Sequence, residues 1–332
     1  LYIWNDPLLH PDLPRCVELV AQRGLPCNVS SNLNIFRNVE QVIAAGPSAF
    51  RVSLSGFSQE VYGRTHAGGD VETVKANMAR LAALRNDLHP ETRLEVCFHR
   101  YRHNLHEEPQ VRALASDLGY DFQPLWACIL PIERNLRIAE AGFHIPEEAP
   151  EAGVAKLLVV SLEEAVAALR GVMPGDCYLR DEHLNVDCEG NVILCCACND
   201  YERNGLGPFL SQSLADIRKR QQTHEQCHRC MAHGVHAYVT YAAELDIAAY
   251  RNLAARGRQW GATSDTLIGF LCRELVEKRQ RQAALETACR ERMGVIEGLA
   301  AAAEERLELI VRLDAECKRL REQCETPGDK EL

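Results

Sequence analysis

The chain reads as an α/β protein: a partial (β/α) barrel of parallel strands, then a small cysteine-rich hairpin domain, then a C-terminal helical coiled coil. Three observations predict this. Short apolar runs alternate with amphipathic stretches over residues 1–135, cysteines cluster at metal-ligand spacing over 177–235, and apolar residues recur every seven positions over 266–325.

The strand candidates of the first region are Leu1–Trp4, Cys27–Ser30, Phe50–Leu54, Leu94–His99 and Phe122–Leu130. The helical stretches between them are Pro14–Arg23, Val39–Ala45, Val71–Arg85 and Pro109–Leu118. Strand–helix repetition at this pace reads as βα units around a parallel sheet. The candidates are too few for a full barrel of eight units, so a partial barrel or open sheet is expected. Residues 136–176 form a connection with a Pro/Glu/Ala-rich piece, IPEEAPEAG, and one helix, Leu162–Leu169. A helix near Leu214–Gln222 divides the cysteine region, and residues 236–265 read as a helical linker.

In the tail, Cys289, Ile296, Ala303, Ile310, Cys317 and Cys324 mark one seam and Leu285, Leu299, Leu313 and Leu320 a second, broken by Arg292 and Arg306. Three–four spacing with dense Glu and Arg between predicts a coiled coil and self-association through it. A long helix packed on its own domain is the alternative.

At 332 residues, 46% hydrophobic and 25% charged, the composition is that of a globular protein. A net charge of −10 argues against broad nucleic-acid binding, which needs a basic stripe. The sequence shows no apolar run of transmembrane length and no signal-peptide pattern, so no membrane role and a cytoplasmic location are expected. In that setting fifteen cysteines point to metal binding or reduced core thiols rather than disulfides.

Cys177 and Cys195 flank a turn signal, DCEGN, between two alternating runs, and Cys227 and Cys230 follow as Cys-x2-Cys in EQCHRC. A hairpin and a knuckle would together close a four-thiolate cage, and soft thiolates select iron–sulfur clusters or zinc. Cys195 and Cys198 are also a Cys-x2-Cys pair. With Cys227 and Cys230 they have the layout of a zinc ribbon, which leaves Cys177 unused. His99, Tyr101 and His103 in HRYRHNLH stand at the end of the Leu94–His99 strand, as substrate-facing groups or as a solvated loop.

Several segments resemble the radical S-adenosylmethionine superfamily. WNDPLLHPDL is similar to the Gly-Gly-Glu-Pro-type strand end, with Asn5-Asp6-Pro7 where a Glu more often precedes Pro. SSNLN at 30–34 resembles the Thr-Asn-Gly-type segment. RVSLSGFSQEVYGRTHAGGD resembles the Ser-Leu-Asp-Gly segment and its following helix, with Ser55 replacing the usual Asp. The resemblance implies cofactor contacts from Asn5, Asp6, Ser31, Asn32, Ser53 and Arg64; from residue type alone these read as strand-end caps and turns.

LNVDCEGNVILCCACND is similar to the hairpin of the SPASM/twitch extension, with Gly190 five residues before Cys195. That implies an auxiliary 4Fe–4S cluster on Cys177, Cys195, Cys227 and Cys230. The activity implied is hydrogen abstraction by a 5′-deoxyadenosyl radical from a peptide, sugar or other small molecule. An electron donor such as flavodoxin or ferredoxin would serve it.

The family's Cys-x3-Cys-x2-Cys motif, which binds the cofactor-cleaving 4Fe–4S cluster upstream of the WNDP strand, does not occur in this sequence. The expectation is an N-terminally incomplete copy that does not cleave the cofactor as written. The alternatives are a natural variant without that cluster, acting as a metal-stapled scaffold, and a zinc-ribbon interaction protein whose tail recruits a partner.

Overall fold

The computed structural model describes residues 4–170, 177–240 and 245–260, with scattered positions between 279 and 318. The chain divides into two units, 1–267 and 268–332.

The first unit opens on a 3-10 turn, Pro7–Leu9, with Asp6 as its N-cap. Then follow α1 (Leu13–Ala21), β1 (Asn28–Ser31), α2 (Val39–Ala44), β2 (Ala49–Ser53), α3 (Gln59–Tyr62) and α4 (Val71–Leu88). Next come β3 (Arg93–Arg100), α5 (Glu108–Asp117) and β4 (Asp121–Trp126). The four strands form one all-parallel sheet in the order β1-β2-β3-β4. Each strand lies beside its predecessor, the arrangement along an arc of a βα barrel; a doubly wound sheet would reverse at a switch point. Of the five expected strands, four are present within two residues at their starts. The fourth of these ends at Trp126, short of Leu130, and the first expected strand falls mostly outside the described residues.

Alternation along the strands separates two faces. Val29, Phe50 and Leu94 share one register row, and Ser31, Val52, Val96 and Phe122 another. The apolar members pack with Leu13, Val17, Val42, Val74, Met78 and Val111 of the helices in the main core. The opposite face carries Ser30, Arg51, Glu95 and Asp121 in one row and Ser53, Cys97 and Gln123 in the next. Parallel strands covered by helices on both sides are apolar throughout, so this polar face is not a second helix-packing surface. Local chemistry starts the helices: Asp70 caps α4 by accepting from Thr73 N–H, and Ser58 caps α3.

Past the sheet lie α6 (Ile132–Glu140), α7 (Pro150–Ala155) and α8 (Leu162–Leu169), the last begun by a Ser161/Glu164 capping box. Then come α9 (Tyr178–Asp181), β5 (Asn185–Val186), β6 (Asn191–Ile193), α10 (Tyr201–Asn204), β7 (Gly205–Pro208), α11 (Leu214–Thr223), α12 (Glu225–Ala232), α13 (Val235–Thr240) and α14 (Leu245–Arg256). β5, β6 and β7 make an antiparallel sheet, and Gly190 turns the β5–β6 hairpin with φ +84°. A second core joins Ile132, Leu136 and Ala139 of α6 to Val192, Ile193, Leu194, Ile217, Cys198 and Cys230.

In the second unit the described positions, among them Leu285, Arg292, Arg306 and Leu313, are helical and exposed. The other seam positions, Cys289, Ile296, Leu299, Ala303, Ile310, Cys317, Leu320 and Cys324, lie outside the described residues. Among the described residues no helix is long and apolar enough to cross a membrane.

Candidate metal centre

Cys177, Cys195, Cys227 and Cys230, distant in sequence, line one cavity of the first unit, and Cys198 joins them. Cys177 is the N-cap of α9 and its N–H donates to Asp181 Oδ2 at 3.2 Å. Cys195 and Cys198 occupy the turn leaving β6, where Cys198 N–H donates to the Cys195 carbonyl at 3.1 Å. Cys227 and Cys230 sit on α12, and a spacing of three residues puts both sulfurs on one helix face. Leu194, Ile132 and Val239 supply apolar wall. No cysteine among the described residues is in a disulfide.

Burial pushes the thiols up. Cys177 is raised mainly by desolvation, and burial with Cys177 nearby takes Cys227 to about 11. Burial also raises Cys230. At Cys195 a hydrogen bond with Cys196 favours the thiolate, but a hydrogen bond with Cys198 and burial outweigh it. Near neutral pH these groups are protonated, so a metal must displace their protons on binding.

Among the described residues no three His, Cys, Asp or Glu side chains stand close enough to hold a single metal ion. A tetrahedral zinc at about 2.3 Å from each sulfur draws its thiolates to about 3.8 Å from one another. The five cysteines line the cavity together, with Cys195 and Cys198 in hydrogen-bond contact.

Arg180, Gln226 and Met231 also line the cavity, together with Leu179 and His236. Arg180 Nη1 donates to Met231 Sδ at 3.0 Å, while Nε and Nη2 grip Asp181, both at 2.8 Å. Gln226 Nε2 donates to Cys198 Sγ at 3.1 Å. None of these carried a spacing signal. Cys198 was visible only as the second half of the Cys195 pair.

At the carboxyl ends of the strands the structure gathers part of the expected cofactor set. Asp6 Oδ2 accepts from Ser31 Oγ at 2.7 Å and from Asn32 N–H at 3.2 Å, while Oδ1 accepts from Leu8 N–H at 3.0 Å. Ser31 is 4% exposed and its Oγ also accepts from Leu33 N–H. Asn5 and the Asn32 side chain are exposed, and Asn32 Oδ1 accepts from Asn34 N–H at 3.0 Å. Ser53 lies on the polar face beside Cys97.

Arg64 is elsewhere. It pairs with Glu60 at 3.1 Å and lines a different cavity with Ser58, His103, His106 and Trp260.

Residues not singled out as cofactor contacts surround the polar face. Ser55 Oγ accepts from His99 N–H at 3.1 Å, and buried Asn104 donates to the carbonyls of Ser55 and His99. Burial and the neighbouring His99 push His66 down to about 4. A fixed Ser55–His99 contact could have been anticipated only from the β2–β3 register.

No family model matches this chain, and no curated protein matches it. Among solved structures it is similar to native anSMEcpe with bound AdoMet, at 11% identity and TM-score 0.35 over 62% of each chain. In that alignment it spans less than two thirds of the other structure's length. It is similar to hexahistidine-tagged anSMEcpe with bound AdoMet at 10% identity and TM-score 0.41, over 79% of this chain and 81% of that one. It is also similar to native anSMEcpe with bound AdoMet and Cp18Cys peptide, at 12% identity and TM-score 0.35 over 68% and 71%. Likenesses this distant carry no argument for the site.

Proposed function

We propose that this chain belongs to a radical S-adenosylmethionine enzyme with an auxiliary 4Fe–4S cluster on Cys177, Cys195, Cys227 and Cys230. The observation carrying this reading is the convergence of those thiols on one cavity. The donor set fits the group: soft sulfur ligands, an apolar wall and no carboxylate among the lining residues. When bound, a cluster supplies one-electron chemistry at a potential set by hydrogen bonds to its sulfurs and by solvent exposure.

The chain's own residues present and shield it. The face of α12 offers two sulfurs in fixed relation, the turn after β6 offers a third, and the start of α9 a fourth. Leu194, Ile132 and Val239 keep water away.

On the sheet, Asp6 is suited to hold the ammonium of S-adenosylmethionine, because Oδ1 accepts a single bond and keeps a free lone pair. Ser31, buried beneath, orients that carboxylate rather than touching the cofactor. Asn5 and Asn32 are exposed at the same edge and complete the contact set. Arg64, paired with Glu60 and lining a different cavity, is left out of the contact set in this reading. This cofactor would supply a 5′-deoxyadenosyl radical where a second, reducing 4Fe–4S cluster on a Cys-x3-Cys-x2-Cys motif, which this sequence does not contain, accompanies it. The substrate, a peptide or small molecule, would lie over the polar face near Ser53, Ser55 and His99. Delivery of electrons by a flavodoxin or ferredoxin and a cytoplasmic setting complete the reading.

A second reading has one observation in its favour. Cys198 lines the same cavity and is 1% exposed, as a zinc-ribbon ligand would be. Anaerobic reconstitution with iron and sulfide separates the two. The proposal expects iron with matching sulfide, and loss of most of it in Cys177→Ala. Stoichiometric zinc without iron, retained in Cys177→Ala and lost in Cys198→Ala, would overturn it.

A further inference from the structure

We infer that Arg180 sets the charge of the thiol centre and so raises the reduction potential of a cluster held there, with Asp181 opposing it. The inference rests on the cavity being a cluster site, as proposed above.

Arg180 is the only Arg or Lys among the described residues lining the cavity. It lies one turn after Cys177, and its charge is felt at both Cys177 and Cys227. The guanidinium is immobilised rather than waving in solvent. Two bonds of 2.8 Å fix it to Asp181, a third reaches Met231 Sδ on α12 at 3.0 Å, and its side chain is 14% exposed. Arg218 Nη1 in turn donates to the Arg180 carbonyl at 2.8 Å, which ties the start of α9 to α11. A planar, permanently charged group held this way acts as a fixed source of positive potential.

Four thiolates leave a 4Fe–4S cluster negatively charged in both oxidation states, and reduction adds one electron with no bond made or broken. A fixed cation in a low-dielectric wall therefore stabilises the reduced form more than the oxidised one. Asp181 has the opposite effect in two ways. It brings a negative charge, and it occupies the Cys177 N–H, which could otherwise donate toward sulfur. The ordinary structural role for an Arg–Asp pair, a helix-start clamp, predicts no change in potential when its charge is altered.

The test is a dithionite-poised potential titration, followed by electron paramagnetic resonance, on the full chain reconstituted with iron and sulfide. Arg180→Gln should disfavour reduction about tenfold, equivalent to 59 mV for one electron. Arg180→Lys should restore most of that shift, and Asp181→Asn should move the potential the other way. Iron and sulfide content measured on each variant confirms that like is compared with like. An unchanged potential in Arg180→Gln, or a shift of the same sign in Arg180→Gln and Asp181→Asn, would overturn the role of Arg180 and leave the cluster standing. If Arg180→Gln fails to hold a cluster, Asp181→Asn decides alone, and no upward shift there is the overturning result. A wild-type chain that takes up no iron and sulfide would overturn the cluster and this inference together.

Discussion

Glu108→Gln should destabilise the first unit by about 3 kcal/mol, because it strips the charge from a carboxylate that two arginines share. Glu108 Oε2 accepts from Arg100 Nε at 2.8 Å, and Oε1 accepts from Arg100 Nη2 at 3.0 Å and Arg112 Nη2 at 3.0 Å. Glu108 and Arg100 are each 2% exposed, and the Arg100 guanidinium lies 4.9 Å from the Trp126 ring centroid. Gln keeps the shape, yet it turns an amide N–H₂ toward a guanidinium donor and leaves Arg100 buried without this counter-charge. Removing one partner of a buried pair costs about 3–5 kcal/mol. The lower end applies here because Arg112 is 22% exposed and can rehydrate. Urea unfolding followed by circular dichroism measures it. The pH dependence gives a second reading. Burial alone would raise the Glu108 carboxyl, but the hydrogen bonds and charge of Arg100 outweigh it and hold the group below its usual value. With a depressed folded pKa, the contribution is fully present above the unfolded value of about 4.3 and is lost as pH falls below it. Glu108→Gln should flatten that acid limb. A loss under about 1 kcal/mol, with the acid limb unchanged, would refute the reasoning.

His66, pushed down to about 4 by burial and by His99, should show an imidazole NMR titration centred near that pH. Because the unfolded chain binds that proton more readily, His66 should lower stability as pH falls from about 6.5 toward 4, and His66→Gln should remove that slope. A midpoint near 6.5 would contradict the burial argument. Gly56→Ala places a Cβ 2.6 Å from Tyr62 N and 2.7 Å from Tyr62 Cα, both backbone, so the turn after β2 must shift. It should cost at least about 1–3 kcal/mol, read as a lowered melting temperature, and wild-type stability would contradict the close approach. Asp6→Ala removes the acceptor for Ser31 Oγ–H, Asn32 N–H and Leu8 N–H and should cost about 1–3 kcal/mol in the same assay. Asp6→Asn should retain part of it.

The βα half was legible because its signals are local. Alternation in Phe50–Leu54 and Leu94–His99 and three–four spacing in Val71–Arg85 each report one buried face, and the helices and strands fall on those stretches. Leu162–Leu169 matches to the residue, since Ser161 and Glu164 write a capping box into the chain. What was hidden depends on tertiary approach. The Cys-x2-Cys of α12 predicts two sulfurs on one face, but the arrival of Arg180 beside them comes from packing between α9 and α12, which no spacing encodes. Asp6 was read through its resemblance as a cofactor contact; in the structure it is first a cap, with Pro7 and Leu8 making the turn that folds its carboxylate onto Ser31. Arg64, four residues after Glu60 on one helical turn, finds its partner locally and points into another cavity.

The central claim, that the five-thiol cavity holds an iron–sulfur cluster, is tested most directly by X-ray absorption on anaerobically reconstituted chain. The account predicts iron in an all-sulfur shell with a second shell of iron neighbours, both lost when Cys177, Cys195, Cys227 and Cys230 are replaced together by Ala. Zinc with sulfur ligands at about 2.3 Å and no metal neighbour would contradict it.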